Sequence, residues 1–386
     1  MGSEMCIRDR VRTVLSYLLT YRKSLLIADQ KEYIASITGL ILNVVSYLAI
    51  ILLVTWEQNY LLALGIGTVT EVVLNIWISW YVEQKYPFLR QRRKEKSTSS
   101  LTKRIVRDLK SLFISRISEK MLYCTDNLII SGFIGVGTVG RYANYCMITQ
   151  AISNILTILA NTIQPTVGDY FTEKNRQRNY EILRQLTFGF FCIASVVSVG
   201  LFSLITPFVR DIWLGPSYEL GWGITVFCIV VLLVRIMGLP LSLVMGVTGL
   251  FEKEKNVGAS SALLNLIVSL ALVKPYGMAG VLLGTLLSYL LQILYRYIIY
   301  FRDFLEMPGE ALRYAQDIGE YLAVIAGEVL LMQKIVPLIY GAGGMLLFCV
   351  CFLLCIAIPL LLDLVIFGRG WRLQSIVTMV KGMRKA

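Results

Sequence analysis

Histidine does not occur anywhere in the 386 residues. Its absence removes the commonest side-chain base near neutral pH and the commonest metal ligand. Ser-His and Cys-His catalysis go with it, as does most zinc chemistry. Charge is also scarce: 16% of residues are Asp, Glu, Lys or Arg, where soluble domains carry about a quarter. No G-x-x-x-x-G-K-[ST] occurs, so the chain has no P-loop ATPase of its own. The eight cysteines (6, 124, 146, 192, 228, 349, 351 and 355) form no C-x-x-C, and all but Cys6 lie in apolar runs. They read as small hydrophobes rather than redox or metal sites.

What is abundant is apolar chain, with 56% hydrophobic residues and a mean hydropathy of +0.67. Such a chain needs lipid as its solvent. A crossing helix takes about 20 mostly apolar residues, and that ruler finds eleven candidate spans. They are 13–28, 34–55, 60–82, 112–134, 138–164, 187–208, 222–250, 257–273, 276–300, 318–339 and 342–367. The first is short and carries Arg22 and Lys23, and the tenth is diluted by Glu320, Glu328 and Lys334. Runs this continuous are helices, because lipid offers no partner to an unpaired backbone group. A β-barrel would instead show alternating ten-residue segments. The expected fold is an all-α polytopic bundle.

Basic residues in short loops mark the cytoplasmic side. The stretch 83–110 holds ten of them, and every second loop after it is basic: Lys174, Arg176, Arg178 and Arg184, then Lys253 and Lys255, then Arg296, Arg302 and Arg313. The tail adds Arg369, Arg372, Lys381, Arg384 and Lys385, whereas the intervening loops hold only Arg210, Lys274 and Lys334. The alternation supports the span count and puts the carboxy terminus in the cytoplasm. It also accounts for much of the +12 net charge, which leaves little reason to invoke nucleic acid. Arg8, Arg10 and Arg12 run against the rule, so 1–10 read as a foreign or disordered leader. The chain then divides into a leading group of three helices (11–82), a basic cytoplasmic linker (83–111), six helices (112–306), a further helix pair (307–368) and a basic tail (369–386).

A charge at mid-bilayer costs at least about 2.5–3.5 kcal/mol and usually faces a wet cavity. The fourth span has the densest set. On a helix, Arg116, Glu119, Lys120, Tyr123 and Asn127 fall within about 60° of Arg116, with Asp126 on the flank. Arg235 stands in the middle of the seventh span with no acid nearby in sequence, Arg141 lies near the start of the fifth, and Glu71 is mid-span in the third. Asp363, near the end of the last span, reads as interfacial. Arginine suits phosphate, since its planar guanidinium donates paired hydrogen bonds and stays charged. The expected cargo is therefore anionic and phosphate-bearing. Gly238-Leu-Pro240 is expected to interrupt the seventh span, and Gly280 with Gly284 forms a G-x-x-x-G suited to close helix contact.

Six motifs carry a family resemblance: LLIADQKEYI (25–34), KYPFLR (85–90), TDNLIISGFIGVGTVGRYANY (125–145), IWLGPSY (212–218), VTGLFEKEK (247–255) and NLIVSLALVKPYGMAGVLLGTLLS (265–288). Together they resemble bacterial polysaccharide repeat-unit flippases of the MOP superfamily, which are MATE-like exporters. The resemblance implies two six-helix lobes and a final pair, with about three helices missing ahead of this chain's first span. It implies export of undecaprenyl-diphosphate-linked oligosaccharide across the bacterial cytoplasmic membrane, by alternating access and without enzymatic chemistry. Substrate would meet Arg116, Lys120, Tyr123, Asn127, Arg141 and Arg235. Glu71, Glu119 and Asp126 would balance charge or bind a coupling Na+ or H+. No other cofactor is expected, and partners would be the lipid-linked oligosaccharide, membrane lipids and polysaccharide assembly proteins. The alternatives are a cation-coupled multidrug antiporter of the same superfamily and a membrane polysaccharide polymerase or transferase.

Overall fold

The computed structural model describes residues 20–29, 31–57, 60–87, 113, 125–171, 175–341 and 343–368. These fall into two compact units, Met1–Thr98 and Ser99–Ala386. The division lies within the basic stretch expected to be a linker.

The first unit contains α1 (Thr20–Ala28), α2 (Glu32–Glu57) and α3 (Tyr60–Lys85). Leu26, Ala35, Ile78 and Val82 form its small core. Arg22, which weakened the first expected span, is accounted for by α3. Its guanidinium pairs with Glu83 at 2.6 Å and donates to the Ser79 hydroxyl. Beyond α1, Asp29 accepts from Lys31 and from the Tyr86 hydroxyl, and these donors hold its carboxyl below the ordinary range. The face of α2 bearing Leu40, Ile41, Val44, Leu48, Ile51 and Leu52 is exposed. Only lipid makes such a surface inexpensive.

The second unit begins with a helical segment, 125–133, followed by α4 (Val136–Tyr170), α5 (Arg176–Pro207) and α6 (Trp222–Val247). Then come α7 (Phe251–Ile298), α8 (Pro308–Tyr340) and α9 (Met345–Phe367). α6 packs on α4, α5 and α7, while α5 packs on α8 and α9. Among the described residues the regular structure is helical, and seven helices are long and apolar enough to span a membrane. The protein is a multi-pass membrane protein.

The eighth and ninth expected spans are one element, α7, folded back on itself at Gly277, where φ is 57° and ψ −134°. Glycine alone takes that conformation without strain. The arms, 251–276 and 278–298, then lie against each other, and the Ser269 hydroxyl donates to the Val281 carbonyl at 3.2 Å. The G-x-x-x-G serves this hairpin: a methyl group at Gly280 would run into the Leu272 carbonyl, and one at Gly284 into the Ser269 hydroxyl.

Two expectations are corrected. The seventh span is not interrupted: α6 runs helically through Pro240, which costs it one backbone hydrogen bond but leaves the helix continuous. Gly238 is a packing position, where an added methyl would lie 3.0 Å from Ile293. Asp363 is not interfacial in the sense of facing water. It is 3% exposed and points into the protein.

Candidate functional site

Asp126, in the segment 125–133, and Arg235, in the middle of α6, line the same cavity of about 290 Å³. Four pieces of chain build its walls. The segment 125–133 supplies Asp126 and Asn127. α4 supplies Tyr142, Cys146 and Gln150, α6 supplies Cys228, Leu232 and Arg235, and the second arm of α7 supplies Leu282, Thr285 and Tyr289. Within each long helix these residues recur every three or four positions, so each helix presents one face to the cavity.

Arg235 is held by side chains from two other helices. Its Nη1 donates to Gln150 Oε1 at 3.4 Å, and its guanidinium lies 5.3 Å from the centre of the Tyr289 ring, a cation–π contact. Asp126, 5% exposed, is secured from both arms of α7. Thr285 Oγ1 donates to Oδ2 at 2.7 Å, and Asn265 Nδ2 lies 3.4 Å from Oδ1. Asn265 also donates to Thr285 at 2.8 Å, and its own Oδ1 is buried without a partner. The cavity therefore has a guanidinium on one wall and a fixed carboxylate on another, with thiol, hydroxyl, amide and phenol groups between them. Such a lining can bind an anionic group and balance its charge. Among the described residues no group of three or more His, Cys, Asp or Glu could hold a metal ion.

The structure thus brings together three of the residues expected from the sequence, Asp126, Asn127 and Arg235. Arg141 is exposed near the start of α4 and does not line this cavity. Glu71 is half-buried on α3, in the first unit. Arg116, Glu119, Lys120 and Tyr123 lie outside the described residues. Gln150, Asn265, Thr285 and Tyr289 were not anticipated. The available signal was polar side chains four apart in otherwise apolar runs, Cys146 with Gln150, Asn265 with Ser269, and Thr285 with Tyr289.

Comparison with known proteins agrees with the motifs. Residues 11–171 match a family described as "Polysaccharide biosynthesis protein". No curated protein sequence matches the chain. Among solved structures, "Lipid II flippase MurJ, inward closed conformation" is similar with a TM-score of 0.58 at 14% identity, over 91% of this chain and 71% of that one. The chain shares the helical fold of that flippase, and over residues 11–171 its resemblance to polysaccharide biosynthesis proteins is borne out.

Proposed function

We propose that this chain is a transporter that moves an undecaprenyl-diphosphate-linked oligosaccharide across the bacterial cytoplasmic membrane by alternating access, with its carboxy terminus in the cytoplasm. One observation carries the reading: Arg235, in the middle of α6, presents its guanidinium to a cavity and is positioned there by Gln150 and Tyr289. A mid-bilayer arginine is costly and marks a pathway or binding site. Its planar donors match diphosphate oxygens, whereas a cation exporter would line its path chiefly with acids. In this reading Asn127 adds a hydrogen bond and Arg116, Lys120 and Tyr123 complete the anion site, while the polyprenyl tail stays in lipid. Asp126, with Asn265 and Thr285, is the position for charge balance or a coupling Na+ or H+.

The test is rescue of surface polymer in a strain lacking its own flippase. Full-length protein restores export, and Arg235→Glu abolishes it at unchanged membrane abundance. Normal export by the Arg235→Glu variant would remove the arginine from the site. Drug resistance without polymer rescue would favour an antiporter of the same superfamily.

A further inference from the structure

A second cluster of ionisable groups lies away from the Arg235 cavity, where α5, α8 and α9 meet. Glu328 on α8 is 2% exposed and Asp363 on α9 is 3% exposed. Ser195 on α5 donates to Glu328 Oε2 at 2.5 Å. Glu328 Oε1 and both Asp363 oxygens are buried and have no hydrogen-bond partner among the described residues. The two carboxyl groups and Ser195 lie within electrostatic reach of one another, and the Cys192 thiol faces both acids from α5. Among the described residues, no arginine or lysine acts on either acid. Two adjacent carboxylates buried in a lipid-embedded trio cannot both stay ionised without a positive occupant.

Aromatic rings lie on one side of the acids and a pocket on the other. Phe191 precedes Ser195 by four residues, Tyr321 precedes Glu328 by seven and Phe367 follows Asp363 by four. Their rings pack into one plug, with Phe191 stacked on Tyr321 at 4.4 Å and Phe367 edge-on to Tyr321 at 5.7 Å. α5 and α8 run the opposite way to α9, so all three rings lie on the same side of the acids. On the opposite side, the α5–α8 seam opens into a polar pocket of about 680 Å³ lined by Ser203, Arg210, Asp211, Gln333 and Tyr340. Gln333 is five residues beyond Glu328, about 7.5 Å along α8, and Ser203 is eight beyond Ser195, about 12 Å along α5. The Ser203 hydroxyl is buried without a partner.

We propose that Glu328, Asp363 and Ser195 form a proton-binding site, loaded from the pocket at the Arg210 end and closed at the other by the Phe191–Tyr321–Phe367 plug. A proton needs only two facing oxygens, whereas hard metal cations take six or more oxygen ligands, and three side chains supply too few. The shared proton links α8 to α9, and Ser195 joins that link to α5. The site is independent of the cargo assignment, so either can fail alone.

The experiment is infrared spectroscopy of the full chain in lipid nanodiscs at neutral pH. Wild-type protein shows a protonated-carboxyl band that is lost in Glu328→Gln/Asp363→Asn and is the same in sodium and choline buffers. Absence of a band difference between wild type and the double variant, or its removal by sodium, would overturn the proposal. Should the double variant fail to insert, Ser195→Ala replaces it: loss of the hydroxyl shifts the wild-type band, and an unshifted band refutes the site.

Discussion

Asp126 and Asp363 are almost equally buried, at 5% and 3% exposure, yet their neighbours treat them differently. Asp126 sits beside a cavity and has a hydroxyl or amide donor at each oxygen, delivered by both arms of a hairpin. Asp363 lies within electrostatic reach of Glu328, and among the described residues neither of its oxygens has a hydrogen-bond partner. A third acid, Asp317, is 6% exposed and ion-paired to Arg184 at 2.6 Å. One bundle thus buries acids by neutral donors, by a counter-charge, and by neither. The first fixes a carboxylate for use at a site, the second joins two helices, and the third requires an occupant.

Substitutions that break these arrangements should differ in size. The largest effect is expected for Gly280→Leu. Its side chain meets the Leu272 backbone, which cannot retreat, and overpacking of this kind costs about 1–3 kcal/mol or more. Because the hairpin brings Thr285 to Asp126, the variant should give little monodisperse protein by size exclusion. Next is Arg184→Ala, which removes the counter-charge paired with Asp317. Breaking a fully buried pair costs about 3–5 kcal/mol, and with the Arg184 side chain 21% exposed the loss should be at or below the lower end of that range, read as a fall in melting temperature.

Thr285→Val and Ser195→Ala sharpen the contrast between Asp126 and the Glu328–Asp363 pair. Removing the donor to Asp126 leaves a buried acceptor short of a partner, at about 1–3 kcal/mol. Removing Ser195 should cost less, because a neighbouring protonated carboxyl can donate to Glu328 in its place. Equal losses in the two variants would contradict that difference. The smallest effect belongs to Arg302→Ala: its pair with Asp303 is surface-exposed, and water screens such a pair, so the melting temperature should stay at the wild-type value.

The long apolar helices were legible because hydropathy is a local property of a chain in lipid. So was Arg235, since a lone charge in VFCIVVLLVRIMGLPLSLVMGV must be provided for. Its companions were not, because Gln150 and Tyr289 approach from helices 85 residues before it and 54 after it. The partners of Asp126 lie 139 and 159 residues away. Pro240 misled because a proline inside a spanning helix can bend it without ending it. Asp363 misled by its nearness to a helix end, although its row was readable. Cys351, Cys355, Pro359, Asp363 and Phe367 are all buried and follow one another every four residues, a single packing ridge that places the acid among core residues.

Transport in this reading requires Arg235 to meet a diphosphate. Binding of undecaprenyl-diphosphate-linked oligosaccharide to purified full-length protein, wild type against Arg235→Glu, tests this most directly. Charge-assisted hydrogen bonds are worth about 1.5–3 kcal/mol, and every 1.4 kcal/mol is about tenfold in affinity. The variant should therefore bind at least about tenfold more weakly, whereas wild-type affinity in Arg235→Glu would contradict the account.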